Sequence, residues 1–213
     1  SFLYIMRVHF IAIGGAIMHN LAIALKDKGY QVTGSDDVIF DPSKSILQKH
    51  GLLPAEFGFF PERITPDIDA IILGMHAKMD NAELTRAMEL GLKVYSFPEY
   101  IFFYFKDKQR IVIAGSHGKT TITSMIMHVL QKMNYDFDFM VGSSVAGFPN
   151  NVKLSNAPII ILEGDEYLTS ALQKEPKFIH YKGNIALLSG IAWDHINVFP
   201  TFEIYLDQFQ KLV

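Results

Sequence analysis

The chain has 213 residues, of which 49% are hydrophobic, so it can bury one large core or two modest ones. Its formal net charge of -3 shows no basic excess, and no lysine- and arginine-rich run is interleaved with aromatic residues, so we expect no nucleic-acid partner. Cysteine is absent, which excludes disulfides, thiolate metal sites and a cysteine nucleophile and fits a cytoplasmic location.

The chain opens with an apolar segment. Residues 8–13 are almost all apolar and partly β-branched, as in a parallel strand that is covered on both faces. Arg7 and His9 interrupt the segment, which falls short of the ~20 residues that span a bilayer. We therefore predict a buried strand here and no membrane partner.

The next ninety residues alternate between helical and strand patterns. A glycine turn at Gly14 and Gly15 leads into a helix that Gly29 stops, and the strand at 30–34 completes a βαβ unit. Further elements are a helix opening at Asp41-Pro42, a strand at 69–75, a helix at 81–90 and a strand at 93–97. This alternation predicts a parallel, doubly wound sheet.

Residues 98–109 carry aromatic residues at helical spacing and predict a helix that connects two domains, with the boundary after residue 104. A new strand at 110–114 and a helix beginning at the threonines follow. One apolar face is predicted for that helix, formed by Ile122, Met125, Ile126, Val129, Leu130 and Met133. The predicted fold class is α/β, with a Rossmann-like parallel-sheet domain at 1–104 followed by the first part of a P-loop-type α/β ATPase domain at 105–213.

A shortened phosphate-loop motif joins that strand to that helix. The usual motif G-x-x-x-x-G-K-[ST] would place its first glycine at Ile113, so a G-x-x-G-K-T form remains. Backbone N–H groups at a helix N-terminus favour an anion, Lys119 can reach the β- and γ-phosphates of ATP, and the Thr120 hydroxyl can bind Mg²⁺. The alternative is a capped helix with an exposed lysine. The residues predicted to bind ATP are Gly115, Ser116, His117, Gly118, Lys119, Thr120 and Thr121.

Acidic residues follow the apolar strand at 157–163. A carboxylate at the end of a strand beside the phosphate loop is the usual ligand for the divalent cation of phosphoryl transfer, which makes Glu163 the predicted Mg²⁺ ligand. The alternative is an exposed acidic turn with Asp165 and Glu166. The segment 184–200 repeats this arrangement, with an apolar strand, a turn of small residues and then Asp194 and His195. Since Mg²⁺ prefers oxygen, chemistry alone favours a structural histidine there.

The turn after the first strand is similar to a dinucleotide-binding fingerprint. Asp36 follows it at the spacing at which an acid meets a ribose in nicotinamide-binding folds. Ala12 and Ile17 replace the first and third glycines, however, so NAD binding is weakly supported while a pyrophosphate can still lie on Gly14 and Gly15.

Together these motifs resemble the Mur ligases, the ATP-dependent amide-forming enzymes of peptidoglycan metabolism and the cell wall. The motifs occur in that family's order across the whole chain, namely HFIAIGGAIM, VTGSD, DNAEL, AGSHGKTT, EGDEY and WDHINVF. The resemblance implies that the first domain binds UDP-N-acetylmuramate at Gly14, Gly15 and Asp36. It also implies that the lactyl carboxylate of the sugar attacks ATP to form an acyl phosphate, which an amine opens.

The resemblance assigns roles to individual residues. Lys119 would stabilise the transferring phosphoryl group, Thr120 and Glu163 would hold one Mg²⁺, and His195 would hold a second, so the catalytic set is Lys119, Glu163 and His195. The motifs GDEY and KFIHY are more similar to the subfamily that adds the recycled peptide L-alanyl-γ-D-glutamyl-meso-diaminopimelate than to the alanine-adding subfamily.

Some features depart from the family. Ser189-Gly190 stands where relatives carry an asparagine pair, and Gln210 occupies the register of a carbamylated lysine, with Lys211 one position away, so no such modification is predicted. Family members continue beyond Val213 into the rest of the central domain and a third domain, so we expect these 213 residues alone to be inactive. Two readings of other classes remain, an NAD-dependent oxidoreductase built on residues 1–104 and a non-catalytic nucleotide-sugar-binding module.

Overall fold

The computed structural model describes residues 4–165, 168–170, 173–194 and 196–212. The chain divides into two compact units, one consisting of Ser1–Tyr100 with Ser170–Gln173 and the other of Ile101–Thr169 with Lys174–Val213. Both units combine helices with largely parallel sheets, which confirms the predicted α/β class. Among the described residues, no helix is long and apolar enough to cross a bilayer.

The first unit contains a four-stranded, all-parallel sheet in the order β2-β1-β3-β4. Its elements are β1 (Arg7–Ile11), α1 (Ala16–Asp27), β2 (Gln31–Ser35), α2 (Ser43–Lys49), a 3-10 helix (Pro61–Arg63), β3 (Ala70–Leu73), α3 (Ala82–Glu89) and β4 (Val94–Tyr95). Helix α2 begins after Pro42, and the Asp41 carboxylate accepts the N–H of Ser45 at 3.0 Å. The predicted order of strands and helices in this unit is therefore the observed one.

The two central strands of this sheet are its most apolar. Every residue of β3 is buried, and so is every residue of β1 after Arg7. On one side, β1, β3 and α3 share a core cluster consisting of Ile11, Ile64, Ile71, Leu73, Ala77, Leu84 and Ala87. Continuous apolar runs are expected for parallel strands, because crossover helices cover their faces.

Helix α4 (Phe97–Phe105) contains the division between the units, which follows Tyr100. The boundary predicted from the sequence, after residue 104, stays a prediction. The second unit continues with β5 (Gln109–Ala114), α5 (Lys119–Lys132), β6 (Asp138–Met140), β7 (Val152–Lys153), β8 (Ile159–Glu163), β9 (Leu168–Ser170), β10 (Gln173–Pro176), α6 (Lys177–His180), β11 (Ile185–Leu188) and α7 (Phe202–Gln210).

The main sheet of the second unit has the order β11-β5-β8-β6-β7, while β9 and β10 form a separate pair. All neighbours in the main sheet are parallel except β6 and β7. Strand β5 therefore lies between β11 and β8, and both of these partners follow it by many residues in the sequence. Its core cluster contains Ile113, Met127, Phe137, Phe139, Val141, Val145 and Ile161.

The predicted apolar face of α5 is only half correct. Ile122, Ile126 and Leu130 pack against the core cluster, but Met125, Val129 and Met133 are 64%, 55% and 59% exposed. Thr123 and Met127 are buried in their place. The apolar residues of this helix span more of its circumference than the sheet covers, and the pattern alone does not say which edge faces the sheet.

Candidate functional site

Three strands of the second unit end together at one edge of the main sheet. The strand register pairs Ile113 of β5 with Glu163 of β8, and Leu188 of β11 with Ala114 of β5. Ligands of open α/β sheets bind outside the carboxyl ends of the strands, where these loops meet. The predicted phosphate loop and the predicted acid therefore lie at the same edge.

Both glycines of the phosphate loop, residues 115–118, have backbone conformations that favour glycine, and at one of them a side chain would also collide. Gly115 and Gly118 have φ values of 124° and 79°, in the left-handed region that favours glycine. A Cβ at Gly115 would collide with the Ser189 hydroxyl, whereas a Cβ at Gly118 would meet no atom within 4 Å. Gly118 therefore lies at the open side of the loop, directly before α5. The first N–H groups of a 14-residue helix follow it and have no intrahelical acceptor.

Two side chains of α5 face the loop and the neighbouring strand. The Lys119 ammonium donates to the Gly115 carbonyl at 2.6 Å, so it lies over the phosphate loop. The Thr120 hydroxyl donates to Oε1 of Glu163 at 2.9 Å. Oε2 of Glu163 is buried and has no hydrogen-bond partner within the part of the chain that the structure describes. A hydroxyl and a carboxylate with an unused buried oxygen are ligands that fit Mg²⁺.

Ser116 differs from the other loop residues because its hydroxyl is fully used inside the protein. Its Oγ donates to the Ala192 carbonyl at 2.7 Å, accepts the Ala192 N–H at 2.8 Å, and lies 2.7 Å from the Tyr205 hydroxyl. Its backbone N–H donates to the Gly190 carbonyl at 3.0 Å. Ser116 therefore supports the loop from inside, and the predicted anion contacts are left to the residues after it.

The acids that follow β8 have different surroundings. Asp165 forms an ion pair of 3.0 Å with Lys177, so its charge is compensated within the protein. Burial raises the pKa of the Tyr181 phenol well above its usual value, and the charges of Asp165 and Glu163 add to this effect. The predicted ligand His195 lies outside the described residues, as does Glu166. Among the described residues no cluster of three acidic or histidine side chains is arranged for a metal.

In the first unit, the turn after β1 and the end of β2 are tied together. The Gly14 N–H donates to Oδ2 of Asp36 at 2.8 Å, and a Cβ at Gly14 would lie 2.9 Å from that oxygen. Gly15 has a φ of -58°, and a Cβ there would meet its nearest atom, in Met18, at 3.4 Å. Gly14 is thus required by the fold. Gly15 is not, and its role in binding a ligand stays a prediction.

Ala12 occupies a backbone position that suits glycine. Its φ is 69°, uncommon for a residue with a side chain, and the Ser35 carbonyl accepts the N–H groups of both Ala12 and Ile13. The replacement of the first fingerprint glycine is therefore accommodated by support from β2. The two hydrogen bonds to the Ser35 carbonyl also hold the next residue, Asp36, beside the turn.

Asp36 is expected to make the stability of the first unit depend on pH. Burial raises the pKa of its carboxyl from 3.8 to about 6, the neighbouring Asp37 also raises it, and the Gly14 N–H acts in the opposite direction. Folding therefore favours the protonated form. This contribution is fully present below about pH 4 and is lost as the pH rises through about 6.

The side chain of Asp36→Asn cannot ionise, so this variant is the reference for the wild-type protein. Between about pH 4 and pH 7 we expect the melting temperature of the wild type to fall by several degrees relative to that of the variant. Differential scanning fluorimetry across this range measures it. A difference that stays constant with pH would contradict the raised pKa.

A buried polar network lies beside the turn that contains Gly14 and was not predicted from the sequence. The Glu83 carboxylate accepts the Ser35 hydroxyl at 2.6 Å and the Phe60 N–H at 3.0 Å, and lies 2.9 Å from the His9 ring. Arg63 donates to the Ser35 hydroxyl at 2.8 Å. The signal in the sequence is His9 itself, since a polar residue inside an apolar strand needs a buried partner.

Two sequence families match the chain. The family described as "Mur ligase family, catalytic domain" matches residues 7–102, and the family described as "Mur ligase middle domain" matches residues 113–213. The first match covers the Gly14–Asp36 turn, and the second covers the phosphate loop and Glu163.

Individual relatives cover nearly the whole chain. The UDP-N-acetylmuramate--L-alanyl-gamma-D-glutamyl-meso-2,6-diaminoheptandioate ligase of Haemophilus influenzae is 29% identical over 97% of this chain and 46% of its own length. The UDP-N-acetylmuramate--L-alanine ligase of Carboxydothermus hydrogenoformans is 32% identical over 97% of this chain and 42% of its own length. The chain therefore spans less than half the length of these curated relatives.

A solved structure is similar across both units. The UDP-N-acetylmuramate:L-alanyl-gamma-D-glutamyl-meso-diaminopimelate ligase from Neisseria meningitides has a TM-score of 0.87 and 28% identity, and the match covers 99% of this chain and 68% of that one. A murein peptide ligase from Psychrobacter arcticus has a TM-score of 0.81 and 25% identity.

Proposed function

Because this chain belongs to the Mur ligase family, we propose that the full-length protein is an ATP-dependent, ADP-forming ligase that acts on UDP-N-acetylmuramate in the cytoplasm. The acceptor we propose is the peptide L-alanyl-γ-D-glutamyl-meso-diaminopimelate, which would place the enzyme in peptidoglycan recycling. The names of the Haemophilus and Neisseria relatives support this choice. L-alanine is the second candidate, because a relative of that name reaches 32% identity.

The contact between Thr120 and Glu163, beside the loop that carries Lys119, is the observation that supports this function most directly. It combines an anion-binding loop, a cation over that loop and a carboxylate with an uncommitted oxygen at one sheet edge. ATP-dependent transfer needs these groups together. An NAD-dependent oxidoreductase has no use for Lys119 or Glu163.

In the proposed reaction, the lactyl carboxylate of the sugar attacks the γ-phosphorus of ATP, and ADP leaves. The acyl phosphate formed is then attacked by the α-amine of the acceptor, which loses a proton as phosphate departs. Lys119 would offset the charge that develops on the transferring phosphoryl oxygens, and the N–H groups from Gly118 onward would hold the phosphates. His195 stays a predicted ligand of a second cation.

Thr120 and Glu163 are the residues that would hold Mg²⁺. When bound, this ion neutralises phosphate charge and fixes the orientation of the phosphates. The 2.9 Å contact between Thr120 Oγ1 and Glu163 Oε1 keeps both donors at the mouth of the loop before any ligand arrives. The role of the protein here is to hold these oxygens in place.

Ligand-induced changes in the melting temperature of the full-length protein test this proposal. We expect UDP-N-acetylmuramate and ATP with Mg²⁺ each to raise the melting temperature, because each binds the folded state, and NAD to leave it unchanged. A rise with NAD alone would favour the oxidoreductase. A rise with the UDP sugar but none with ATP would favour a nucleotide-sugar-binding module.

We expect Gly15→Val to lower the affinity for UDP-N-acetylmuramate by about tenfold or more, because a branched side chain prevents the pyrophosphate from approaching the turn. The melting temperature should stay close to that of the wild type, since a Cβ at Gly15 fits the fold. Gly14→Ala is the matched comparison, and it should lower the melting temperature. Unchanged affinity in Gly15→Val, measured by calorimetry, would place the sugar elsewhere.

A further inference from the structure

The phosphate loop is held from behind by the segment that follows β11. The Ser189 hydroxyl donates to the His117 carbonyl at 2.6 Å and lies 3.2 Å from the Ala114 carbonyl, while its backbone N–H donates to Ala114 at 3.0 Å. These contacts connect residues more than 70 positions apart in the sequence. The segment 189–192 therefore fixes both ends of the loop.

The bond to His117 determines where the next N–H group points. In a trans peptide the C=O and the following N–H point in opposite directions. Because the His117 carbonyl is turned toward Ser189, the Gly118 N–H is turned away from Ser189. The side away from Ser189 is the one on which a phosphate would lie.

The Gly115–Ser116 peptide group has the opposite orientation, with its N–H directed toward the segment 189–192. The Gly115 carbonyl accepts Lys119, and the Ser116 N–H that follows it donates to the Gly190 carbonyl. The Ser116 hydroxyl donates to Ala192, so the Tyr205 hydroxyl donates to Ser116 at 2.7 Å. Tyr205 is fully buried, which keeps this bond away from water.

We propose that Ser189 and Tyr205 are positioning residues that hold the phosphate loop in its anion-binding conformation before ATP arrives. Ser189 orients the Gly118 amide, and Tyr205 fixes the Ser116 side chain beneath it. Neither side chain touches the nucleotide. This inference rests on the proposed function, since it assigns the loop to the phosphates of ATP.

An N–H group that is oriented by the protein binds the phosphates equally well in bound ATP and in the transition state. Its loss therefore raises the KM for ATP and changes kcat little, in contrast to loss of Lys119. We expect Ser189→Ala and Tyr205→Phe in the full-length protein each to raise the KM for ATP by about tenfold, the effect of one hydrogen bond to a charged group. The KM for UDP-N-acetylmuramate should not change.

Two further variants separate orientation from general loosening. Ser189→Thr keeps the hydroxyl and should retain a KM for ATP close to the wild-type value. Ser155→Ala removes a hydroxyl that donates to Asp138 at 2.6 Å in the same unit. It should lower the melting temperature but leave the KM for ATP unchanged. If Ser189→Ala is too unstable to purify, Tyr205→Phe still tests the proposal, because the phenyl ring preserves the packing.

The inference is overturned if Ser189→Ala and Tyr205→Phe keep the wild-type KM for ATP, or if Ser155→Ala raises it as much as they do. Lys119→Ala, measured in parallel, shows which conclusion fails. If Lys119→Ala is nearly inactive while Ser189→Ala and Tyr205→Phe behave like the wild type, only the positioning role is wrong. If Lys119→Ala turns over normally, the ATP site itself is wrong.

Discussion

Lys119→Ala in the full-length protein should lower turnover by about 100-fold or more. The Lys119 ammonium lies 2.6 Å from the Gly115 carbonyl, so it is already positioned over the loop that would hold the phosphates. A fixed positive charge there acts mainly on the charge that develops as the phosphoryl group transfers, and deletion of one such preorganised group typically costs about 100- to 1,000-fold in kcat. Release of ADP at saturating ATP measures the effect.

Two controls accompany this measurement. Lys132, in the last turn of the same helix, offers a matched substitution, and Lys132→Ala should leave turnover unchanged. The affinity of Lys119→Ala for UDP-N-acetylmuramate should also stay close to that of the wild type, because the proposed sugar site lies in the first unit. Product formation at the normal rate would leave Lys119 with only a structural role, as the donor to the Gly115 carbonyl.

Glu83→Ala should lower the free energy of unfolding by about 3–5 kcal/mol, because it leaves several buried polar groups without a partner at about 1–3 kcal/mol each. Glu83 is fully buried, and its carboxylate is the common acceptor for Ser35 and Phe60 and the partner of His9. Without it, several buried polar groups lose their partner at once. Urea denaturation of the 213-residue chain gives the value.

Glu83→Gln is the matched control for this prediction. Its amide keeps one oxygen for the Ser35 hydroxyl and the Phe60 N–H, and His9 can accept from the amide nitrogen if its own proton moves to Nδ1. We expect a loss of only about 1 kcal/mol. Equal losses for the alanine and glutamine variants would show that charge, and not hydrogen bonding, dominates at this position.

The elements that could be predicted from the sequence are those with regular patterns. The predicted strands at 69–75 and 110–114 contain the unbroken apolar runs 70–73 and 111–114, and the structure has β3 and β5 there. Strand β6 was missed because Asp138 opens it. That aspartate is fully buried and forms an ion pair of 2.9 Å with Lys108, a partner distant in sequence. When the local sequence pattern is considered alone, a charged residue at this position is typical of a loop, because its compensating partner is distant in the sequence.

The candidate site could be proposed from the sequence as a motif, but its supporting contacts could not. The spacing from Gly115 to Thr120 indicated a phosphate loop, and the strand before Glu163 placed an acid near it. The sequence could not distinguish the hydroxyl of Ser116, which is used internally, from that of Thr120, which lies beside Glu163. Both are small polar residues in one loop, and only distant contacts with Ala192 and Tyr205 separate them.

The position of β5 between two strands that follow it in the sequence determines when during synthesis the phosphate loop can take its final form. Both neighbours of β5, the strands β8 and β11, leave the ribosome after it, as do Ser189 and Tyr205. Contacts between residues so far apart form late and slow the folding of a domain. The first unit can therefore complete its sheet and its glycine turn before the residues that hold the phosphate loop have been synthesised.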